Sequence, residues 1–171
     1  MANDEKGERK NAGRPKVYME TTTFNYFFDD DRGQDHKYTV KLFEQIKDGK
    51  FEAFTSAYVI DELKKAREEK RDKMLELVNK YGIGLIGRND EVERLGRLYV
   101  AKGVIPKGFL TDALHIAIAT VHGLDIIVSM NFEHIVKLKT IRMTGIINIE
   151  NGYDPIEIRS SGEVVKDDIK D

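Results

Sequence analysis

A parallel β-sheet covered by helices on both faces is the fold this sequence predicts, and three observations predict it. Short apolar runs of strand type alternate with helical patterns along the chain, at the spacing that right-handed βαβ units need. The run at 125–128, DIIV, is apolar after its first residue and shows little alternation, as strands buried on both faces do. The pattern at 111–121 is apolar nearly all round and carries Ala113, Ala117 and Ala119, as a helix wedged between a sheet and other helices does.

The 171 residues suffice for one domain with a real core. Hydrophobic residues at 40% and charged residues at 34% mark a globular chain, and the apolar runs are too short to span a bilayer, so no membrane role is expected. With no cysteine there is no zinc ribbon, redox motif or thiol nucleophile. The polar start lacks a signal-peptide pattern, which makes a cytoplasmic protein the expectation. A net charge of −2 provides no global field for nucleic acid, so any such contact is local.

In order, residues 1–15 are polar and offer nothing to bury, and are read as a flexible tail before a folded unit at 16–160. Val17 and Met19 bound a short strand that leads straight into Glu20, a threonine series and the aromatic cluster Phe24, Tyr26, Phe27 and Phe28. That cluster reads as core rather than as a base-stacking platform. A turn through 29–33 precedes a helix at 36–47 that stops at Asp48 and Gly49. A strand at 51–55 follows, with Ser56 as N-cap of a helix that carries Glu62 and runs on into the charged segment 64–73. The mixed signs of that segment suit a solvated helix face better than a nucleic-acid patch. Met74, Leu75, Leu77 and Val78 mark more helix, Ile83, Leu85 and Ile86 a short strand, and Val92, Leu95, Leu98 and Tyr99 an amphipathic helix ending by Gly103. Asp112 opens the apolar helix that Gly123 closes, the strand at 125–128 leads to Ser129 and Asn131, a turn lies at 152–155, an edge strand at 156–158, and a charged tail at 161–171.

In a parallel sheet, residues just past the strand C-termini share one edge, and that edge is where ligands bind. Glu20 and Asn131 fall past strand ends, Asp112 lies in a first helical turn, and Glu62 lies in the helix after the second strand. Three carboxylates and an amide oxygen make a hard donor set suited to Mg²⁺ or Mn²⁺ rather than zinc, and a divalent ion would relieve their mutual repulsion. Such a site suits metal-assisted phosphodiester cleavage, with Thr21, Thr22 and Ser129 orienting carboxylates or waters. Each residue has a plainer role open to it: Asp112 complements the helix dipole, Glu62 faces solvent, Asn131 caps a turn at Phe132, and His115 packs or hydrogen-bonds rather than ligates. Glu20 is the acid least explained without a partner.

Four segments resemble the motifs of the PIN-domain superfamily, and of its VapC-type ribonuclease toxins in particular: VYMETTTFNYF, TSAYVIDELKKA, LTDALHIAIA and IIVSMNFEHI. The resemblance spans about residues 16–159. It implies a three-layer α/β/α sandwich with a central parallel sheet, a Mg²⁺ or Mn²⁺ site on Glu20, Glu62 and Asp112, and endoribonuclease activity toward RNA, in a homodimer restrained by an antitoxin protein. Glu20 stands where the family usually has aspartate, and Asn131 where many members have a second acid, so one ion is expected rather than two. The competing expectation, favoured by these two departures, is a PIN-fold RNA- or protein-binding module without useful turnover. A phosphoryl-transfer domain of another doubly wound family is weakened by the absence of an Asp-x-Asp after the first strand and of a Gly-rich phosphate loop.

Overall fold

The computed structural model describes residues 13–167. The first twelve residues of the expected N-terminal tail and the last four of the C-terminal one therefore lie outside the described residues. Five strands form one sheet: β1 Lys16–Met19, β2 Glu52–Ser56, β3 Gly84–Ile86, β4 Ile126–Val128 and β5 Glu157–Arg159. Every pairing is parallel and the order is β3-β2-β1-β4-β5. Val17, Tyr18 and Met19 of β1 are fully buried, which is why this central strand reads as an apolar run rather than as an alternation.

The helices are α1 Thr21–Phe28, α2 Gln34–Lys47, α3 Ala57–Leu63, α4 Glu68–Lys80, α5 Asp90–Ala101, α6 Leu110–Val121, α7 Leu138–Glu150 and α8 Ser161–Asp167. Right-handed crossovers place the helices between β1, β2 and β3 on one face and those flanking β4 on the other. Side-chain contacts agree. Phe24 and Phe27 of α1 pack edge-on against Phe43 of α2, which meets Tyr81 after α4 at 5.2 Å between ring centroids. On the other face the Tyr99 hydroxyl of α5 bonds Asn148 of α7, and the Asn148 amide donates to Thr120 of α6 at 3.3 Å. The sheet is thus the middle of an α/β/α sandwich, and of the aromatic cluster Phe24 is buried and Phe27 packs on the core, while Phe28 is exposed.

Several details depart from the sequence reading. The threonine and aromatic series forms a helix, α1, although β-branched and aromatic residues are poor helix formers, because Glu20 caps it and Thr21, Thr23 and Phe24 are buried along it. The helix after β2 does not run through the charged segment. It stops at Leu63, and α4 begins at Glu68, with Lys73 and Glu69 in an exposed pair at 3.6 Å that adds little stability. Periodicity does not mark α7, because its apolar residues go all round: Ile147 is buried while Leu138, Ile146 and Ile149 are exposed. The expected charged tail from 161 begins instead as α8. Val164 and Val165 are buried, and Ser161 accepts a hydrogen bond from Thr39 of α2 at 3.0 Å. Among the described residues no helix is long and apolar enough to cross a membrane.

Chain direction reverses its progress across the sheet between β1 and β4: the crossovers from β1 and β2 move one way, and those into β4 and β5 move the other. A crevice opens at such a switch point beyond the strand C-termini. The residues singled out from the sequence meet there.

Candidate functional site

Glu20 follows β1 and is buried, at 2% exposure, where an acid needs donors. It has three. The Thr22 amide donates to Oε2 at 3.2 Å, and the hydroxyls of Thr22 and Ser129 donate to Oε1 at 2.5 and 2.6 Å. The amides of Met130 and Asn131 donate to those same hydroxyls, at 2.7 and 3.0 Å, so the segment after β4 is laced to the start of α1. Burial raises the Glu20 pKa, and the neighbouring Glu62 adds to this, against the pull of His115 and the two hydroxyls.

Glu62 lies near the end of α3, half-buried rather than facing solvent. Its Oε1 accepts from Thr21 Oγ1 at 2.9 Å and from His115 Nε2 at 2.5 Å. Burial opposes its ionisation, but the His115 contacts and the Thr21 hydrogen bond outweigh it and lower the pKa. His115, on α6, is fully buried. Burial opposes its charge too, yet the bond to Glu62 and the fields of Glu20, Glu62 and Asp112 win and raise its pKa. If His115 is an imidazolium, its Nδ1 donates to the Tyr18 hydroxyl at 2.7 Å, and that hydroxyl donates a hydrogen bond to Ser56 Oγ, also at 2.7 Å. His115 is therefore a hydrogen-bonding histidine, as expected, but one that sits among all three candidate acids.

Asp112, in the first turn of α6, accepts from His134 Nδ1 at 2.8 Å. His134 belongs to a tight turn after β4. Asn131 caps that turn, with Oδ1 accepting from the His134 amide at 3.0 Å and its carbonyl accepting from Ile135 and Val136. The plain capping role weighed for Asn131 is present. His134 is the residue of this candidate site that the sequence alone did not single out. Its link to Asp112 spans 22 residues, and only its place three residues after Asn131 hints at it.

The structure thus brings Glu20, Glu62 and Asp112 to one edge, with Thr21, Thr22 and Ser129 fixing the first two. Hard carboxylate oxygens of this number suit Mg²⁺ or Mn²⁺ in kind. Among the described residues, however, no group of three or more His, Asp or Glu side chains forms a ready-made cage for an ion. The acids surround His115 instead of converging on a point, because two imidazoles and three hydroxyls occupy their oxygens.

No protein-family model matches the chain, and no curated protein matches it by sequence. Solved structures do. VapC20 of Mycobacterium tuberculosis, described as a toxin that cleaves the sarcin-ricin loop, aligns with a TM-score of 0.52 at 11% identity, covering 65% of this chain and 86% of that one. VapBC2 from Rickettsia felis, bound to a promoter DNA fragment, aligns with a TM-score of 0.53 at 12% identity over 85% of this chain and 98% of that one. DNA-bound VapBC from Salmonella typhimurium aligns with a TM-score of 0.52 at 13% identity over 86% and 98%. At such identities the likeness is one of fold.

Proposed function

From a chain that carries the PIN-domain fold of the VapC proteins, we propose a metal-dependent endoribonuclease that cuts RNA phosphodiester bonds as the toxin of a toxin-antitoxin pair. The observation that carries this reading is the grouping of Glu20, Glu62 and Asp112 around one buried histidine at the switch point of the sheet. Capping and packing explain each acid singly, but not three acids at one edge.

On this reading Glu20, Glu62 and Asp112 would hold Mg²⁺ or Mn²⁺ after their side chains turn from His115 and His134 toward a common point. An ion bound there would supply a water of lowered pKa and neutralise charge developing on the phosphate. Ser129 and Thr22 fix the Glu20 carboxylate, Thr21 fixes Glu62, and His134 orients Asp112. Asn131 has committed Oδ1 to the turn, which leaves its amide hydrogens to place a water. The loss of a fourth charge there favours one ion over two. The reading includes an antitoxin and a homodimer, and both are tested by co-purification and sedimentation of the full chain.

Asp112→Asn tests the chemistry. Incubation with RNA and Mn²⁺ is expected to show cleavage by the parent chain and a loss of at least about a hundredfold in the variant. Equal cleavage by both would remove Asp112 from the site. The second reading, a binding module without turnover, is favoured by the saturated Glu20 carboxylate. Retained RNA binding with no calorimetric signal for Mn²⁺ at millimolar concentration would select it.

A further inference from the structure

Two phenylalanines at the rim of this site are exposed where most of the chain's aromatic residues are packed. Phe109 is 47% and Phe132 46% exposed. Phe109 ends a tight turn in which its amide donates to the Pro106 carbonyl at 3.1 Å, and Gly108 takes a φ of +97° that other residues rarely adopt. The turn sets Phe109 at the head of α6, its ring centroid 4.1 Å from that of His134, which in turn holds Asp112. Phe132 projects from the turn that Asn131 caps, two residues before His134. Lys107, at the tip of the first turn, is exposed and has no ion-pair partner among the described residues.

Neither ring is needed for the core, and an exposed ring held on a rigid turn beside a polar site asks for a ligand with an apolar face. The purine or pyrimidine of an unpaired nucleotide has such a face, and an adjacent cation suits the phosphate that follows it. We propose that Phe109 and Phe132 form a stacking subsite for unpaired RNA bases flanking the phosphate at Asp112, with Lys107 on the neighbouring backbone phosphate. This rests on the nuclease reading, and it names the residues by which the site selects unpaired RNA. The contact of Phe109 with His134 also ties a base stacked there to the orientation of Asp112.

The test is fluorescence titration of the full chain in EDTA with a short single-stranded RNA carrying 2-aminopurine, so that binding is read without cleavage. Phe109→Leu and Phe132→Leu keep apolar bulk but lose the stacking face, and each is expected to weaken binding by about tenfold, with Phe109→Trp restoring it. An abasic site at the stacked position should erase the difference between parent and variant. Parental affinity in both leucine variants, or an undiminished difference on abasic RNA, would overturn the proposal. Should Phe109→Leu fail to fold, Phe132→Leu, on a separate turn, carries the same test. RNA that binds and quenches but is never cut with Mn²⁺ would sink the nuclease reading and leave the subsite standing. Cleavage that is indifferent to both rings would do the reverse.

Discussion

His115 lies among three carboxylates whose fields and hydrogen bond favour its charged form, and the pH dependence of stability should reveal it. Its folded pKa is raised above the ordinary value of about 6.5. Its contribution is therefore complete below that value and lost as pH rises through the folded one. Glu62, with a lowered pKa, contributes above the ordinary carboxylate range and loses that contribution as pH falls through its folded value. Glu20 runs with His115 and against Glu62, since burial raises its pKa and ionising it costs stability as pH rises. Urea unfolding of the parent should show stability declining with pH above about 6.5, and His115→Asn should flatten that decline. An unchanged slope in the variant would mean that His115 is neutral in the fold. Glu20 and Asp112 were legible in the sequence because each sits at the end of an element, and Glu62 because its helix follows the second strand. The histidines that bind them were not, since His115 reaches Glu62 across 53 residues and His134 reaches Asp112 across 22. A histidine on the buried face of an apolar helix does signal that polar partners exist, but not which ones.

Among the elements, the close pair α5 and α6 matters most to the site, because α6 carries both Asp112 and His115. Gly96 on α5 lets the two approach: a Cβ there would lie 2.7 Å from Cδ2 of Leu114 and 3.5 Å from its Cα. Gly96→Val should destabilise the chain by about 1–3 kcal/mol, measured by urea unfolding, as overpacking at a tight contact does. Stability equal to the parent would show that Leu114 simply swings aside. Strands and capped helices were legible from short-range signals, as with Ser56, whose Oγ accepts from the Val59 amide at 3.4 Å. The helix at 138–150 was not, because an apolar residue on every side leaves no period to read. The helix at 161–167 was missed for the opposite reason: two buried valines in a charged sequence are too few to stand out.

At the scale of the molecule, alternation of elements was enough to predict a parallel sheet, whereas the strand order is a matter of long-range pairing that no local pattern encodes. That order has a consequence in time. Ser129 orients Glu20, yet the Ser129 amide itself donates to the Arg159 carbonyl at 3.0 Å, and Val128 is in register with Arg159. The carboxylate at the start of the fold thus depends on β5, a strand about 140 residues further along the chain. A chain ended after Pro155 should lose amide protection at Ser129 in hydrogen exchange and lose cleavage with it, while protection in β1 and β2 survives in part. Retained protection at Ser129 would show that β4 holds the site unaided. Ribosomes make proteins from the N-terminus, so a chain built this way orients the Glu20 carboxylate only once that distant strand has been made.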